Sequence, residues 1–475
     1  MQRTLTLLAS AALGSMLLCA QPGTLDATFN PGTGANGSVE DLVLQPDGKV
    51  IIVGSFTAVG GTTRNRIARL NADGSLDTGF NPGAGADDFV TAVAVQNDGK
   101  VVIGGFFTTV GGTSRNFLAR LNSDGTLDAS FNTGSGPNGA VLDIAVQPDG
   151  KVLIGGFFSA VNGAARIRVA RLNTDGSVDT GFTTGAGASG SVLAMALQAD
   201  GKVLIGGEFL NYNNTARSRI ARLNADGTLD TGFNPGTGLA GSAFGFVDVL
   251  AIAVQPDGKV IIGGRFESFN GTPRSNLVRL NSNGSLDTGG FPTGAGQTFS
   301  MALQTNGKLL TGAFMFLGRL TANGANDTDF ITGTSVDSWV YAIAVQPDGK
   351  ILVGGTFTNY NGTTRNGIMR VNGDAINVGM DETMTTSNAL RIYPNPSNGG
   401  IVWMDVPQGM NGNMQLEVIG ADGRIVQHSA IDPTVVGTEA QQIALDVDPL
   451  VPAGSYVVRI ISASSIHTGR LSISR

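Results

Sequence analysis

Short apolar runs separated by Gly, Asp and Asn fill most of the chain, and the unit that begins at Val90 shows the pattern clearly. Val90 to Gln96 and Lys100 to Phe107 are rich in Val, Ile and Phe, which favours β-strands. Phe117 to Asn122 predicts a third strand, and Thr126 to Phe131 predicts a short outer strand. Asp98-Gly99, between the first two runs, predicts a two-residue type I′ hairpin. The unit therefore predicts four antiparallel strands.

Three phrases recur seven times each with small variations, namely Gln-Pro-Asp-Gly-Lys, Arg-Leu-Asn and Leu-Asp-x-x-Phe. Consecutive copies of the first phrase lie 42 to 57 residues apart, a spacing that fits a four-stranded propeller blade. One such sheet cannot bury both of its faces, so neighbouring units have to stack. The central residues of the seven copies are Asp47, Asp98, Asp149, Asp200, Asp257, Asn306 and Asp348.

The copies start and stop out of phase. The first Leu-Asp-x-x-Phe, from Leu25 to Phe29, precedes every other phrase, and the last Arg-Leu-Asn, from Arg370 to Asn372, has no Leu-Asp-x-x-Phe after it. This offset suits a closed ring in which Thr24 to Phe29 supplies the outer strand of the last blade. An open β-solenoid is the alternative, but a solenoid is capped rather than complementary at its ends. We predict an all-β chain with a seven-bladed β-propeller, closed by an N-terminal strand, over residues 21–372.

The three phrases, together with Gly-Gly-x-Phe, resemble the delta-60 repeat family over residues 24–372. The resemblance implies a propeller-type fold in a secreted or surface bacterial protein, and it implies no defined activity. Repeat six departs most from the pattern, because it has Asn306 for Asp, Ala313 for Gly and a shortened middle.

Residues 373–389 break the repeat and are interpreted as a linker. From residue 390 to residue 475, short alternating runs separated by Gly, Pro and Asn predict a small Ig-like β-sandwich. The segments Leu390 to Gly400, Leu450 to Ile460 and Gly469 to Arg475 resemble the type A C-terminal sorting domain of the type IX secretion system of Bacteroidota-type bacteria. That resemblance implies recognition by the type IX machinery, export across the outer membrane, and frequent removal with attachment of the cargo to surface lipopolysaccharide. The alternative is an Ig-like accessory domain that binds a ligand itself.

The N-terminal segment predicts a signal peptide over residues 1–20, because Arg3 is followed by an apolar run from Leu5 to Leu18 and then by the small Ala20. Cys19, the only cysteine, suggests a lipid-modified N-terminus as an alternative, which the bulky residue before it disfavours. No later segment approaches 18 consecutive apolar residues, so no further membrane span is predicted. We therefore expect a secreted or cell-surface protein, exported across the inner membrane by its signal peptide.

Composition limits the chemistry. The formal net charge of −7 argues against a nucleic-acid partner, which requires a basic surface. The only histidines, His428 and His467, lie in the tail, so the mature propeller contains neither His nor Cys. Ser-His-Asp and Cys-His nucleophilic sites and the usual zinc sites are therefore excluded from it. We expect a protein that is not an enzyme and that needs no cofactor.

Calcium stays an alternative, because Asn71, Asp73, Ser75 and Asp77 place oxygen ligands at alternate positions. The Gly of this pattern is fourth, whereas an EF-type loop needs it sixth. A tight Asp-Gly turn, with Asp77 hydrogen-bonded locally or paired with Arg69, explains the pattern without a metal.

Positions at which the repeats disagree are the candidates for function. Just before the recurring Phe of the second strand, five repeats carry Ser, Phe or Thr, whereas repeats four and five carry Glu208 and Arg265. An ion pair between neighbouring blades is the structural interpretation, and a ligand anchor or catalytic acid is the functional one. A glycosidase needs two carboxylates at a set separation, and Glu267 is a weak candidate for the partner of Glu208.

The loop between the second and third strands also varies. It carries an aromatic residue beside Asn in repeats four, five and seven, it is shortened near residues 316–318 in repeat six, and an insertion occupies residues 239–247. A missing loop between two aromatic residues predicts a notch suited to a sugar or a peptide; ordinary loop packing is the alternative. The candidate residues are Tyr212, Phe269, Tyr360, Asn213, Asn270 and Asn361.

The sequence therefore favours an exported, non-catalytic binding or adhesion module for a glycan or a protein, with the tail as secretion and surface-anchoring signal. A carboxylate-dependent carbohydrate-active enzyme that uses Glu208 is one alternative. A purely structural surface protein is the other.

Overall fold

The computed structural model describes residues 21–242, 245–289, 291 and 296–374, together with seven segments of the tail. The predicted signal peptide and most of the predicted linker lie outside the described residues. The described part consists of strands and turns, and it contains no helix long and apolar enough to span a membrane. The seven tail segments are 390–393, 401–406, 414–419, 425–431, 441–447, 454–461 and 466–473.

In the described residues up to 371, one three-stranded antiparallel sheet recurs in each of the seven repeats, and we number these sheets one to seven along the chain. The first strands are Val39–Leu44, Val90–Val95, Val141–Val146, Val192–Leu197, Asp248–Val254, Ser300–Leu303 and Val340–Val345. The second strands are Val50–Gly54, Val101–Gly105, Val152–Gly156, Val203–Gly207, Val260–Arg265, Leu309–Ala313 and Ile351–Gly355. The third strands are Ile67–Leu70, Leu118–Leu121, Val169–Leu172, Ile220–Leu223, Leu277–Leu280, Phe316–Leu320 and Ile368–Val371.

A small hairpin joins the second and third strands everywhere except in sheet six, where Phe314 and Met315 alone connect them. In sheet five the hairpin also pairs with Leu239–Ala240, which belongs to the predicted insertion. The hairpins are Ala58–Val59 with Thr62–Thr63, Thr109–Val110 with Thr113–Ser114, Ala160–Val161 with Ala164–Ala165, Asn211–Tyr212 with Thr215–Ala216, Ser268–Phe269 with Thr272–Pro273, and Asn359–Tyr360 with Thr363–Thr364.

The second strands are buried along their whole length, except for Arg265 at the end of that of sheet five, because both faces of each sheet are covered. Sheets one to five and seven have a β-bulge near the start of the first strand. The bulge brings the first strand close to the end of the second. A Cβ at Gly105 would lie 2.1 Å from the carbonyl oxygen of Phe89, so this position requires glycine.

The predicted fourth strand is shorter than expected. Leu76 and Leu127 make only one isolated bridge each, to Leu70 and Leu121, and the same single bridge follows the third strand in sheets three to six. The Leu-Asp-x-x-Phe segment turns away soon after this bridge, because its Asp accepts local hydrogen bonds, as Asp77 does from the N–H of Gly79 at 2.9 Å.

The first and last repeat phrases meet at sheet seven. Leu25 bridges Val371, and the N–H of Asp26 donates to the carbonyl of Arg370 at 2.9 Å. The first strands of consecutive sheets contact one another, and the first strand of sheet seven contacts that of sheet one.

The turn between the first and second strands differs from the prediction. The N–H of Gln96 donates to the carbonyl of Lys100, and the N–H of Gly99 donates back to the carbonyl of Gln96. The loop therefore has three residues, of which only Gly99 has a positive φ, of 81°. A type I′ turn needs positive φ at both central residues, so the type I′ assignment is wrong, and a turn closed by one left-handed Gly replaces it.

The described tail contains two antiparallel sheets around one apolar cluster that includes Val402, Val418 and Val458. Alternate residues supply this cluster, such as Val402 and Met404 in one sheet and Leu416 and Val418 in the other, which is the pattern of strands with one buried face. One sheet contains Arg391–Tyr393, Ile401–Val406 and Gln441–Asp446, and the other contains Ile425–Ile431, Met414–Ile419, Gly454–Ile461 and Ile466–Ile473.

Candidate functional site

The residues on which the repeats agree form one packed ionic unit in sheet after sheet. In sheet one, Asp77 accepts hydrogen bonds from Lys49 Nζ at 2.8 Å and from Arg69 Nε at 2.7 Å. The Arg69 guanidinium lies 4.8 Å from the centre of the Phe80 ring, and it donates to the carbonyl of Ser123 in sheet two. Burial alone would raise the pKa of Asp77, but the hydrogen bonds from Lys49 and Arg69 lower it to about 2. The unit therefore links neighbouring sheets, and it is structural.

The calcium pattern is explained by the same contacts. Asp77 pairs with Arg69, as the local interpretation predicted, and Asp73 accepts hydrogen bonds from the N–H and hydroxyl of Ser75 at 2.9 and 2.6 Å. Among the described residues, no group of three or more His, Cys, Asp or Glu side chains is placed to hold a metal ion.

Calcium removal is therefore expected to leave the thermal unfolding midpoint unchanged. Asp77→Ala, in contrast, should lower the free energy of unfolding by about 3 kcal/mol, because it leaves the Arg69 guanidinium unpaired in a buried place. Scanning calorimetry with and without EDTA measures the first effect, and urea unfolding measures the second. A midpoint that falls on chelation and recovers with calcium would contradict the metal-free interpretation.

The three aromatic residues predicted to flank a notch are buried, so the predicted notch is wrong. Tyr212, Phe269 and Tyr360 are 0%, 0% and 1% exposed. The Tyr212 hydroxyl donates to the carbonyl of Gly227 at 2.9 Å, and that of Tyr360 donates to the carbonyl of Gly23. These rings fill the space that Val fills in the other hairpins, so they complete the core and present no face to a ligand.

The asparagines beside these rings fix the hairpin turns. Asn213, Asn270 and Asn361 have positive φ angles of 45°, 50° and 48°, a conformation that Asn tolerates better than most residues. The Asn213 side chain accepts from the N–H of Ala186 at 3.0 Å, and that of Asn270 accepts from the N–H of Gly238 at 2.9 Å. Each asparagine thus ties its hairpin to the loop that enters the sheet.

The two charged outliers do not pair with each other. Arg265 forms a two-pronged ion pair with Asp248, which is fully buried in the same sheet, and its guanidinium lies 5.2 Å from the ring centre of Phe246. The hydrogen bond to Asp248 raises the pKa of Arg265, and the charge of Glu208 adds to the rise. Glu208 itself is exposed. The predicted ion pair between Glu208 and Arg265 is therefore wrong. Phe244, which also belongs to the insertion, lies outside the described residues.

A different group of aromatic residues surrounds the short connection of sheet six. The rings of Phe299, Phe314, Trp339 and Tyr341, which we call the aromatic cluster, contact one another. Trp339 lies with its ring centre 4.7 Å from that of Phe299 and 4.6 Å from that of Phe314. The rings of Trp339 and Tyr341 are nearly parallel, with centres 6.3 Å apart. Phe314 is 51% exposed, so the cluster reaches the surface.

A cleft of about 550 Å³ opens beside the aromatic cluster, between sheets seven and one. Thr356 lies in its wall, and the Thr356 hydroxyl oxygen accepts the N–H of Trp339 at 3.2 Å, so the cleft and the cluster adjoin. Hydroxyl and amide side chains in the wall belong to Thr33, Asn36, Ser38, Thr356, Thr358 and Asn366.

Two family models match the chain. The model described as a domain of unknown function (DUF5122) β-propeller matches residues 45–80, 96–131, 147–182, 198–233, 255–289 and 346–374, and a secretion system C-terminal sorting domain matches residues 391–474. The chain contains DUF5122 β-propeller repeats and a C-terminal sorting domain. The family resemblances given by the repeat phrases and by the tail motifs are thus confirmed.

Solved structures of low identity resemble this DUF5122 protein. PorZ, a surface component of the type IX secretion system of Porphyromonas gingivalis, is 12% identical, with a TM-score of 0.30. That match covers 93% of this chain and 53% of PorZ, so the chain spans about half of PorZ's length. Virginiamycin B lyase of Staphylococcus aureus is 14% identical over 68% of this chain and 94% of its own, with a TM-score of 0.43. No curated protein matched the chain.

The sequence did contain a signal for the aromatic cluster of the DUF5122 propeller. Trp339 is one of only two tryptophans in the chain, and the other, Trp403, lies in the sorting domain. Tyr341 stands at the β-bulge position of sheet seven, and Phe299 stands at the corresponding sequence position of sheet six, which has no bulge. Sheets two to five carry Thr or Leu at this position. These differences between repeats lie at the start of the first strand, outside the loops that carry the predicted candidate residues.

Proposed function

We propose that this protein is an exported, cell-surface or released binding module without catalytic activity. Its propeller would hold a glycan or a protein segment at the aromatic cluster and the adjoining cleft. The observation that supports this most directly is the exposed ring of Phe314 packed on Trp339 beside a wall of hydroxyl and amide groups. Aromatic faces with a few polar groups suit the mixed apolar and polar surface of a sugar or a peptide.

The sorting domain supports export to the surface by the type IX machinery, with residues 1–20 as the signal peptide for the inner membrane. We also propose that the seven sheets are blades of one closed ring, completed by the N-terminal strand. The bridge between Leu25 and Val371 and the contact between the first and last sheets support closure. The two sheets of the tail, which share one apolar cluster, support a small Ig-like sandwich for residues 390–475, after a linker at 373–389.

The carboxylates near the aromatic cluster favour binding over hydrolysis. Glycosidases use two carboxylates at a set separation. Asp41 follows Glu40 in the chain, but its two oxygens accept the N–H groups of Leu42 and Val93, both at 2.8 Å. Asp41 therefore supports the strands, and it leaves Glu40 without an obvious catalytic partner. A carbohydrate-active enzyme using Glu208 and a purely structural surface protein remain the rival hypotheses.

The binding site is tested by replacing Phe314 and Trp339 with Ala. Removal of an aromatic anchor commonly costs about 2 kcal/mol or more of binding free energy, so the ligand detected on a glycan or peptide array should be lost. Phe157→Ala is the matched control, because Phe157 stands at the same strand position in sheet three and is 58% exposed.

Both variants must keep the wild-type unfolding midpoint for the comparison to hold. Binding that survives in the Phe314/Trp339 variant, or that is lost equally in Phe157→Ala, would remove the aromatic cluster as the site. Turnover of a polysaccharide that disappears in Glu208→Gln would favour the enzyme hypothesis instead.

A further inference from the structure

Glu40 lies on the strand next to that of Tyr341 in the aromatic cluster, because the first strands of sheets one and seven contact each other. It is the bulge residue of the first strand of sheet one, and Tyr341 is the bulge residue of the adjacent sheet seven. Phe299 precedes the first strand of sheet six, and its N–H donates to the carbonyl of Gly312. Sheets six, seven and one thus present two aromatic rings and one carboxylate at corresponding positions, where sheets two to five carry Thr or Leu.

The Glu40 carboxylate has no cationic partner among the described residues. Its one hydrogen bond there comes from the Ser38 hydroxyl, at 2.6 Å. Burial raises the pKa of Glu40, and the hydrogen bond from Ser38 lowers it in part. Burial likewise raises the pKa of Tyr341, and the charge of Glu40 adds to the rise. The geometric link between the two residues is that they occupy the same bulge position in first strands that contact each other. Asp77, in contrast, is neutralised by both Lys49 and Arg69.

An organic ammonium group complements this arrangement. A cation over the face of Trp or Tyr is attracted by the ring quadrupole, and a carboxylate adds a charge-assisted hydrogen bond. We propose that Glu40, Trp339 and Tyr341 together recognise the ammonium group of a ligand, and that this ligand is a glycan containing unacetylated amino sugars. The inference rests on the proposed binding function of the aromatic cluster and specifies its ligand class.

The cleft favours a glycan over a lysine-containing peptide. Ser38 lies in the wall of the cleft and donates to Glu40, so a ligand whose ammonium group reaches Glu40 continues into the cleft. The hydroxyl groups of Thr356 and Thr358 and the amides of Asn36 and Asn366 line that wall. Small hydroxyl and amide side chains match the repeated hydroxyl groups of a sugar chain, whereas a peptide would more commonly meet an exposed strand edge or an apolar groove.

Isothermal titration of the full chain with four probes tests the inference at neutral pH. The probes are a glucosamine tetrasaccharide, its fully N-acetylated form, a neutral glucose tetrasaccharide and a lysine-containing tetrapeptide. We expect the glucosamine tetrasaccharide to bind, and the N-acetylated and neutral forms to bind about tenfold more weakly or worse, because each lacks the charge-assisted hydrogen bond. Glu40→Gln should weaken glucosamine binding by the same factor, and Asp98→Asn, an exposed control at a turn of sheet two, should leave it unchanged.

The outcomes separate the inference from the proposed function. Equal binding of the acetylated and unacetylated forms, or full binding by a Glu40→Gln variant with a wild-type unfolding midpoint, would overturn the ammonium site. Preference for the lysine peptide would overturn the glycan assignment, as would binding of none of the probes. The Phe314/Trp339 variant, measured on its array ligand, decides separately whether the cluster binds anything. If Glu40→Gln fails to fold, Glu40→Asp, which keeps the charge, should retain discrimination against the acetylated form.

Discussion

Replacing Asp26 and Phe29 with Ala is expected to destabilise the propeller as much as replacing Asp77 and Phe80. The two pairs occupy equivalent positions in the recurring ionic unit, the first in sheet seven and the second in sheet one. Arg370 Nε lies 2.6 Å from Asp26, and its guanidinium carbon lies 4.9 Å from the centre of the Phe29 ring. If the N-terminal strand closes the ring, losing its contacts removes a whole interface, although Asp26 lies 344 residues before Arg370 in the sequence.

The expected loss is large for physical reasons that apply to both pairs. Phe29 is 1% exposed, and truncation of a buried Phe to Ala costs about 3–5 kcal/mol. Arg370 and Asp26 are both buried, and removal of one partner of such a pair costs about 3–5 kcal/mol because the other charge stays unpaired. The combined loss is comparable with the whole stability of an ordinary domain.

Urea unfolding of the two double variants measures the comparison directly. The closed ring predicts similar losses in both, whereas an open array predicts a small loss for Asp26/Phe29 and a large loss for Asp77/Phe80. Near-wild-type stability of the Asp26/Phe29 variant would therefore contradict closure through the N-terminal strand. A Lys49→Met variant, which removes a half-exposed partner of Asp77, provides a milder reference.

The fold was readable from the sequence where one phrase performs one physical task in every repeat. The Lys of the first phrase, the Arg of the second and the Asp and Phe of the third form one packed unit, so their recurrence reports a shared contact. The offset of the phrases was informative for the same reason, since Arg370 requires an Asp and a Phe, and only Asp26 and Phe29 remain to supply them.

The candidate site was harder to predict because the type of a residue does not reveal whether its side chain is exposed or buried. Tyr212 and Tyr360 are larger than Val59, but all three side chains are buried at equivalent positions of their sheets. The two tyrosine hydroxyls donate hydrogen bonds to backbone carbonyls there. Variation in that loop therefore reflects packing. The partner of Arg265 was missed because Asp248 lies in the inserted, longer first strand, so no other repeat carries an acid that would have revealed the pairing.

The stability of the propeller is expected to fall as the pH rises from about 5 to about 8. Burial raises the pKa of Asp41 to about 7, and it does the same for Asp143. Between the ordinary pKa of a carboxyl and this raised value, the folded chain holds a proton that the unfolded chain has lost. Folding is therefore favoured at the acidic end of this window, and the advantage disappears as the pH passes 7.

Two carboxyls shifted this far account for a change on the order of 4 kcal/mol across the window. Asp77, Asp179 and Asp230 do not interfere, because hydrogen bonds from Lys and Arg overcome the effect of burial and lower the pKa of each to about 2. Their stabilisation is present above the unfolded-state pKa, and it is lost only in strong acid. The two sets of carboxyls therefore act in separate pH ranges and with opposite signs.

Urea unfolding at several pH values between 5 and 8 tests this prediction, with Asp41→Asn/Asp143→Asn beside the wild type. The double variant should lose most of the pH dependence, because an amide cannot ionise. Its absolute stability is a poorer readout, since each Asn keeps only one acceptor oxygen for the two backbone N–H groups that the carboxyl receives. Asp87→Asn serves as the control, because the pKa of Asp87 lies below its ordinary value. A wild-type stability that rises with pH across this window would show that Asp41 and Asp143 are ionised in the folded protein without penalty.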